Sequence, residues 1–575
     1  MNHLDSADFT LCVPTWVDQC NAALSCNRKD MDSMNGLLLL NGSMLKQDCA
    51  SMANCNVAAF DDFVSGDSKY DSLNCIIVLC SDAGDSDIDI ESSHMFIRSV
   101  TGAFKKLCSL SPSVHFVCMT GDSETCSVAV LLGGLLRSAQ IEYPGVSMGL
   151  STFCAGISVA DAVNTIYSTS LAGVSELERH FSKDSWYIKR YNRLHPKAAL
   201  SVTPLPAPGA VIITGGLGGL GLLTAKVLME MQYCRHVVLV SRSGKVSRGG
   251  QGLEEELSWL LQYDLQRDGR MVHVMRCDVS DESDVLSLLR DVREVCGSIV
   301  GVVHAAGVLR DGLLRDGKCL DGFDDVWNAK AKSAYLLHKH TLSDADMNLF
   351  VCFSSIASTL GNPGQCSYAA SNAFLDYLAD FRLLKGLAGV CIRFPSVESV
   401  GMAAFTGIDV SGLSLSVACA RMVIKRALCY CPPSADRGVI SLLPANGFEI
   451  IGGKIESQFE FVPRTPVNAV IRPQLPTSDE PVDVIGIVRS ILENLLDIPR
   501  HIADDASLMD EEGFGSLETT EFTSNLNQMF NLNLLSTLVF FYPTIATIAD
   551  HISHQLGYHT KSTDSIDTTT VDSNS

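Results

Sequence analysis

Short apolar runs recur through the second half of the chain, and each ends in residues that favour turns. After a proline-rich hinge at 204–208, these runs predict six β-strands, most of them separated by segments long enough for a helix. The predicted strands are Ala210–Thr214, His236–Ser241, Met271–Cys277, Ile299–His304, Leu349–Ser354 and Gly389–Phe394. Strands that alternate with helical crossovers predict an α/β fold with a doubly wound parallel sheet over residues 204–445.

A weaker rhythm of the same kind precedes the hinge. The run LNCIIVLCSD predicts a buried strand, a helix follows at Phe96–Cys108, and a second strand follows at Val114–Met119. This strand–helix–strand order predicts a second α/β unit over residues 46–203. Residues 1–45 give no clear pattern and are left unassigned.

The chain changes character after residue 445. A linker rich in Pro, Thr and Ser is predicted over 446–480, and a small helical unit over 481–556. The last stretch, 557–575, is rich in Ser, Thr and Asp with almost no apolar residues, so we expect a disordered tail.

Composition and charge narrow the classes of function. The 43 basic and 65 acidic residues give a formal charge of −22, which argues against a nucleic-acid partner because phosphate contacts need a basic face. The start of the chain has no signal-peptide pattern, and the most apolar stretch, Val128–Leu136, is far short of the roughly 20 residues of a spanning helix. We therefore expect a soluble, cytoplasmic protein without a membrane partner. The 21 cysteines include no CxxC pair, which predicts reduced thiols and no metal site.

A glycine cluster directly follows the first strand after the hinge. In VIITGGLGGLG the backbone can turn tightly and approach a pyrophosphate at the start of a helix. The predicted contacts are Thr214, Gly215, Gly216, Leu217, Gly218, Gly219, Leu220 and Gly221. The alternative is a glycine-rich turn that binds nothing.

The next strand ends indicate which dinucleotide binds. A sheet that binds NAD usually carries an acidic residue about 20 residues after the glycines, whereas this chain has Ser241 and Arg242 there. A guanidinium suits a 2′-phosphate, so the sequence predicts NADPH, unless Arg242 is merely a solvated surface arginine. Asp278 and Val279 after the third strand are predicted to bracket the adenine. The run at the end of the fourth strand completes the predicted site: His304, Ala305, Ala306 and Gly307.

Downstream, Ser355 and Tyr368 stand 13 residues apart in SSIASTLGNPGQCSYAASN. This spacing resembles the short-chain dehydrogenase/reductase superfamily, in which a serine orients a carbonyl and a tyrosine phenol protonates it. Simple members place a lysine four residues after the tyrosine, where this chain has Asn372. Polyketide synthase ketoreductases show the same exchange and take the lysine from an earlier helix. WNAKAKSAYLLHKHTL resembles that helix and assigns the role to Lys330. The alternative is that each of these residues, taken singly, lies on the surface and has no catalytic role.

The resemblance covers about residues 46–445. HAAGVLRDGLL and GNPGQCSYAASNAFLDYLA resemble the catalytic, Rossmann-type subdomain, whereas VAVLLGGLLRSAQIEYPG resembles a companion structural subdomain, a truncated Rossmann unit without a catalytic set. Two departures stand out. Arg393-Phe-Pro395 replaces a common NWG, which puts local substrate contacts in doubt. Leu309-Arg310-Asp311 replaces Leu-Asp-Asp, and Leu360 stands where the opposite stereochemical class often has Trp, so we expect hydride delivery in the sense of the Asp-bearing class.

The carboxyl-terminal unit resembles the acyl carrier protein of the same synthases, which implies a small all-α, four-helix domain. EEGFGSLETTEF places Ser516 at the start of a helix, where it would accept a 4′-phosphopantetheine arm. The family usually has Asp before this serine, and this chain has Gly515, which leaves open a degenerate carrier that only packs.

The resemblance implies reduction of a β-ketoacyl thioester held on a carrier. It also implies ketosynthase and acyltransferase components, in cis or in trans, and a phosphopantetheinyl transferase. Three alternatives stay open: a fatty acid synthase segment, a non-catalytic carrier with a degenerate reductase, and a stand-alone alcohol dehydrogenase.

Overall fold

The computed structural model describes most of the chain up to residue 444 and parts of it beyond 482. The described residues are 9–18, 36–40, 55–65, 73, 75–81, 88–120, 126–154, 156–159, 161–163, 165–166, 177–182, 185–193, 207–246, 253–264, 269–398, 400, 414–429, 439–444, 483–496, 503–505, 508, 522–523, 525–526, 529–530, 532, 534 and 538–556. They fall into two compact units, one before and one after the predicted linker. The linker prediction (446–480) and the tail prediction (557–575) lie outside the described residues.

The first half of the larger unit is a parallel sheet with helices on it. Its strands are β1 (Phe9–Asp18), β2 (Gly36–Leu40), β3 (Cys55–Ala59), β4 (Cys75–Ser81), β5 (Ser113–Met119), β6 (Ser147–Phe153), β7 (Glu178–Ser182) and β8 (Ser185–Arg193). Its helices are α1 (Phe60–Ser65), α2 (Ile90–Leu110) and α3 (Ser127–Glu142). The strand order β3-β2-β4-β5-β6-β7 is parallel throughout, with β8 antiparallel on β7. Numbered in chain order from β2, these six strands run 2-1-3-4-5-6, a doubly wound arrangement, so the expected Rossmann-type character of this α/β unit is confirmed.

The second half is the doubly wound sheet that the apolar runs predict. Its strands are β9 (Ala207–Thr214), β10 (Cys234–Ser241), β11 (Met271–Arg276), β12 (Ile299–His304), β13 (Leu349–Ser355), β14 (Val390–Phe394), β15 (Ser396–Val397), β16 (Ser414–Leu415) and β17 (Val439–Pro444). The order β11-β10-β9-β12-β13-β14-β17 is all parallel, and β15 and β16 pair separately. All six predicted strands are present, and β17 is a seventh that the sequence analysis missed.

Helices cover both faces of this sheet, which is why its strands are near-continuous apolar runs. The α-helices are α4 (Gly219–Met231), α5 (Leu253–Asp264), α6 (Glu282–Cys296), α7 (Phe323–Trp327), α8 (Ser333–His340), α9 (Ala357–Leu360), α10 (Cys366–Leu384) and α11 (Val417–Cys429). A short 3₁₀-helix spans Lys318–Leu320, and a π-helical turn at Asn328–Lys332 joins α7 to α8.

Strand β1 joins the two halves into one 15-stranded sheet. It pairs antiparallel with β17 on one side, where Leu11 lies opposite Leu442, and with β8 on the other, where Trp16 lies opposite Lys189. This strand and β2 lie within residues 1–45, which the sequence analysis left unassigned. In the sequence, Pro14 argues against a central strand here, because proline lacks the N–H that a central strand uses for pairing, yet β1 runs through it.

Helix α3 of the first half packs directly on α10 of the second. A Cβ at Gly134 would lie 2.7 Å from the Ala369 carbonyl oxygen and 2.9 Å from the Ala373 Cβ, so only glycine permits this approach. Leu131, Leu135 and other fully buried residues of α3 belong to one apolar core that spans both halves. The structural half therefore braces the helix that carries Tyr368.

The smaller unit is helical. It contains α12 (Val484–Leu496), α13 (Leu538–Phe541) and α14 (Ile545–Leu556). Val488, Leu492, Phe522 and Ile548 are fully buried in its core. Among the helices described in either unit, none has the length and apolar character needed to cross a membrane.

A buried ion cluster lies where α3 meets β7. Glu178 contacts Arg137, and its other oxygen lies 3.1 Å from Lys189 Nζ. Burial alone would raise the pKa of Glu178, but the two cations outweigh it and lower that pKa to about 2. Glu178 is therefore ionised at every pH at which the fold is expected to persist.

We expect Glu178→Gln to destabilise the larger unit in a pH-dependent way. A carboxyl with a lowered pKa stabilises the fold above its unfolded pKa near 4.5 and loses that contribution as pH falls towards 2. The difference in free energy of unfolding between wild type and variant should be about 3 kcal/mol at pH 7 and shrink below pH 4.5. Urea unfolding at a series of pH values measures it.

Glu256→Gln is the control, because Glu256 forms a half-exposed ion pair with Lys226, 2.8 Å away. Such a surface pair contributes at most about 1 kcal/mol. A Glu178→Gln penalty that stays constant from pH 7 to pH 3.5 would contradict the prediction.

Candidate active site

The turn between β9 and α4 closes because glycines stand at its closest backbone approaches. Gly215 has a φ of +62°, a conformation that favours glycine, and a Cβ at Gly221 would lie 2.4 Å from the Gly215 carbonyl oxygen. The Gly218 N–H donates to the Gly215 carbonyl at 2.9 Å, which tightens the turn. Gly218 is also the N-cap of α4 and makes no side-chain cap. The first turn of α4 is thus suited to bind an anionic group such as a pyrophosphate.

Two arginines meet at the ends of β10 and β11. Arg242 is exposed, as the prediction of a phosphate contact requires, and Ser241 accepts a hydrogen bond from the Gly244 N–H at 3.0 Å. Arg276 lies opposite Ser241 in the parallel register, and its Nε lies 3.4 Å from the Arg242 carbonyl oxygen. Arg276 is not among the residues predicted from the sequence, although its position at the end of the neighbouring strand was the available signal.

The predicted adenine residues lie at the carboxyl end of β11. Asp278 Oδ1 accepts hydrogen bonds from the Ser280 N–H at 3.0 Å and the Ser280 hydroxyl at 2.7 Å. Val279 is buried. The Asp278 side chain therefore shapes its own loop, and the role of both residues towards adenine stays a prediction.

Three of the predicted cofactor contacts lie buried beneath the glycine turn. Thr214, Leu217 and His304 are fully buried, whereas Ala305, Ala306 and Gly307 remain partly exposed. His304 Nδ1 lies 2.8 Å from Thr214 Oγ1, and its Nε2 lies 3.1 Å from the Lys330 carbonyl oxygen. Burial, with the positive charge of Lys330, lowers the pKa of His304 to about 3, so its ring is neutral. Through its side chain, His304 thus joins Thr214, at the start of the glycine turn, to the π-helical turn that carries Lys330.

The four predicted catalytic residues come from three segments and converge. Ser355 ends β13, Tyr368 and Asn372 lie one turn apart on α10, and Lys330 lies in the π-helical turn. Lys330 Nζ lies 5.3 Å from the centroid of the Tyr368 ring and donates to the Phe353 carbonyl at 3.0 Å. Asn372 Nδ2 donates to the Tyr368 carbonyl at 2.8 Å. A π-helical turn is rare and often marks a functional site, and here it carries the lysine.

Burial sets the protonation of this group. It raises the pKa of Tyr368 to about 12, an effect that the nearby Asn372 and Ser355 side chains only partly offset. It lowers the pKa of Lys330 to about 8. At neutral pH the phenol therefore keeps its proton and the lysine keeps its charge.

Arg393 lies in the interior. Its Nε donates to Asp376 Oδ2 at 2.8 Å and its Nη1 to Ser441 Oγ at 3.2 Å. Asp376, one turn after Asn372, also accepts from the Ser358 hydroxyl at 2.8 Å. The departure at Arg393 thus forms a buried charge network, and the concern about substrate contacts does not apply to this side chain.

Asp311, the retained residue of the stereochemical signature, lies at the exposed mouth of the site. The Gln365 amide donates to Asp311 Oδ2 at 2.9 Å, and the Asp311 charge contributes to the raised pKa of Tyr368. Arg310 Nε lies 3.1 Å from Asp325 Oδ2. Gln365 is not among the residues predicted from the sequence, although it directly precedes α10.

A separate group of potential metal ligands lies at the amino ends of β10 and β11, away from the nucleotide turn. The ligand atoms of His236, His273 and Cys296 all lie within 4.8 Å of one another, and His236 Nδ1 lies 3.1 Å from His273 Nε2. The expectation that the protein holds no metal stays a prediction. Ser516, the predicted phosphopantetheine site, lies outside the described residues, as does Gly515.

Comparison with known families identifies both units. Residues 209–399 match the KR domain model, and residues 486–552 match the model of the phosphopantetheine attachment site. The chain therefore contains a ketoreductase domain, a class that acts on ketones with a nicotinamide cofactor, and a carrier domain. In this order the two domains match a ketoreductase–carrier segment of a modular polyketide synthase.

The curated relatives are much longer proteins, and several of them are named as polyketide synthases. A phenolphthiocerol synthesis synthase of Mycobacterium tuberculosis, Pks1, is 31% identical over 61% of this chain and 22% of its own length, and it is named inactive. Erythronolide synthase EryA2 of Saccharopolyspora erythraea is 31% identical over 61% of this chain and 10% of its own. The chain thus spans about a fifth or less of these relatives.

Solved structures agree on the fold. A ketoreductase from the first module of phoslactomycin biosynthesis in Streptomyces sp. HK803 superposes with a TM-score of 0.58 and 23% identity, over 76% of this chain and 93% of that one. A-type ketoreductases from a modular polyketide synthase give 0.58 and 22%, over 76% and 94%.

Proposed function

We propose that this protein uses NADPH to reduce a carrier-bound β-ketoacyl thioester to the β-hydroxyacyl thioester during polyketide biosynthesis. The observation that carries the proposal is the convergence of Lys330, Ser355, Tyr368 and Asn372, with the Lys330 segment tied to the glycine turn through His304. Four residues brought together from separate segments support a working reductase over a degenerate one, although one relative is named inactive.

NADPH bound at the glycine turn would supply the hydride for the carbonyl carbon, itself being oxidised to NADP⁺. As the carbon–oxygen π bond breaks, negative charge develops on the oxygen and must be neutralised. The Tyr368 phenol donates its proton to that oxygen, and the Ser355 hydroxyl donates a hydrogen bond that orients it. The product is an alcohol, and Tyr368, having given up its proton, remains as a phenolate.

Lys330 stabilises this phenolate. Its ammonium group lies over the tyrosine ring in a buried position, where a charge acts strongly because water does not screen it. With a pKa lowered to about 8, Lys330 loses this charge as pH rises past that value. Asn372 Oδ1 has no hydrogen-bond partner among the described residues and can accept from a water that returns a proton to Tyr368.

The exposed guanidinium of Arg242, with Arg276 beside it, supports NADPH over NADH. A 2′-phosphate carries a negative charge that a guanidinium can meet with paired hydrogen bonds. Of the residues predicted to contact the cofactor, Arg242, Ser241 and the glycine turn would hold its phosphates.

The carrier domain supports a substrate held as a thioester. In this proposal Ser516 carries 4′-phosphopantetheine, attached by a phosphopantetheinyl transferase, and ketosynthase and acyltransferase components supply the β-ketoacyl chain in cis or in trans. Asp311 at the mouth of the site supports hydride delivery in the sense of the Asp-bearing class.

Tyr368→Phe should lower kcat by roughly 10²–10⁴-fold, because the variant cannot donate the proton. NADPH oxidation with a β-ketoacyl thioester measures it. Tyr377→Phe removes a phenol from the same helix, where Tyr377 packs on Phe374, and serves as the matched control. A Tyr368→Phe variant as active as the control would refute the assigned proton donor.

Arg242→Ala should raise KM for NADPH roughly tenfold or more and leave KM for NADH almost unchanged, because only NADPH carries the 2′-phosphate. Steady-state rates with each nucleotide measure this split. Arg290→Ala, on an exposed ion pair of α6, is the control. Equal losses with both nucleotides would show that Arg242 does not read the phosphate.

Ser516→Ala should abolish attachment of phosphopantetheine, because the variant lacks the hydroxyl to which the arm would be attached. The full chain is incubated with coenzyme A and a phosphopantetheinyl transferase, and its intact mass is measured. Ser490→Ala on α12 should be modified like the wild type. A wild-type chain that gains no mass would favour a degenerate carrier, with Gly515 the first position to restore to Asp.

A further inference from the structure

Glu142, the last residue of α3, reaches from the structural half into the catalytic half. Its two carboxylate oxygens accept separate backbone hydrogen bonds, Oε2 from the Leu314 N–H at 2.7 Å and Oε1 from the Gly364 N–H at 2.9 Å. The residue is only 9% exposed. One buried carboxylate therefore holds two loops that are 50 residues apart, as the numbers 314 and 364 show.

The same two loops are also bonded to each other. The Gly312 N–H donates to the Gly364 carbonyl at 2.8 Å, and the Gln365 amide donates to Asp311 at 2.9 Å. The first loop carries Asp311 at the mouth of the site. The second loop runs directly into α10. Gly364, two residues before the start of that helix, adopts a φ of +73°. Glu142 thus lies behind both loops that flank Tyr368.

A neighbouring residue adds to this anchor from the same face of α3. Ser138 lies one turn before Glu142, and its Oγ accepts from the Asn362 N–H at 3.1 Å. Arg137 contacts the Ser358 carbonyl in α9, which directly precedes this loop. The structural half therefore holds the segment 358–364 at three points, and of these three residues it is Glu142 that also holds the Asp311 loop.

We propose that Glu142 is a positioning residue of the reductase: it sets the start of α10, and so the Tyr368 phenol, relative to the Asp311 loop at which substrate approaches. This proposal rests on the reductase function above. Its consequence is that a residue of the non-catalytic half controls both the rate of reduction and the hand of the alcohol.

The chemistry of the carboxylate explains why a glutamate is needed. Hydrogen bonds to an ionised acceptor are stronger than neutral ones, and two acceptor oxygens serve two N–H donors at once. An amide in the same place has one acceptor oxygen, and its NH₂ group would face the second N–H. Either Leu314 or Gly364 would then lose its partner, and that loop would shift.

Glu142→Gln should lower kcat roughly tenfold, because a displaced proton donor of this kind costs catalysis steeply. The share of the minor β-hydroxy enantiomer should rise. The Kd for NADPH should stay within twofold, because the glycine turn lies between β9 and α4 and is not held by Glu142. Turnover, chiral analysis of the product and NADPH fluorescence titration measure the three quantities on the full chain. Glu91→Gln, an exposed glutamate in the first turn of α2, is the matched control.

Hydrogen exchange of the Leu314 and Gly364 amides tests the anchor without turnover. Both should exchange faster in Glu142→Gln and not in Glu91→Gln. An active wild type whose Glu142→Gln variant keeps its kcat and product hand would overturn the inference, as would a parallel loss of NADPH binding, which indicates general damage. If the wild type reduces no β-ketoacyl thioester, the proposed function fails instead, and exchange at the two amides still decides whether Glu142 holds the loops.

Should Glu142→Gln fail to fold, Ser138→Ala provides a milder test. It removes one of the three contacts to the segment 358–364 and leaves both bonds of Glu142 intact. We expect a smaller fall in kcat with the product hand retained, because the Asp311 loop keeps its anchor. A Ser138→Ala variant that loses stereochemical control would contradict the role assigned to Glu142.

Discussion

The close packing of α3 on α10 is the contact on which the active site depends. At Gly134 the two helices approach so closely that any side chain would collide with Ala369 and Ala373. Tyr368 and Asn372 lie on the same stretch of α10, so this contact fixes the depth at which they sit. The polar residues at the end of α3 then hold the loops that lead into α10. A subdomain without catalytic residues thereby determines the geometry of the catalytic ones.

Buried charge is the second constraint on this architecture. Lys330, Arg393 and Arg137 are all almost fully enclosed, and an enclosed cation needs a partner. Arg393 and Arg137 have carboxylates, Asp376 and Glu178. Lys330 donates to a backbone carbonyl, with no carboxylate in direct contact among the described residues. Of these three cations, the lysine that the chemistry needs is thus the one that contacts no carboxylate, and its pKa is lowered to about 8.

The sequence predicts best what is encoded locally. The glycine turn between a strand and a helix lies within a few turns of chain and could be located from the pattern itself. Ser355, Tyr368 and Asn372 also lie close together in the chain, and their spacing located them by resemblance to a family. Lys330 required a second, distant segment of that resemblance, because its relation to Tyr368 passes through the fold.

Contacts between distant segments were not predictable in this way. Glu142 reads as one acidic residue near the end of an apolar helix, and its two partners lie 172 and 222 residues away. Arg393 looked like a lost substrate contact because Asp376 belongs to another element. His304 looked like a cofactor contact, yet its side chain is enclosed between Thr214 and the lysine segment. β1 escaped notice because both of its partner strands come much later in the chain.

That placement of β1 has a consequence for the order of assembly on the ribosome. Leu11 is made first and its partner Leu442 roughly 430 residues later, so at synthesis rates of about 5–20 residues per second the two strands are separated by about 20–90 s. β8 becomes available much earlier, which allows the first half to form its own antiparallel edge while the second half is still being made. The far edge of β1 must then wait unpaired until β17 emerges. The seam that unites the two halves is therefore the last part of the sheet to close, and the reductase can be complete only when Val439–Pro444 has left the ribosome.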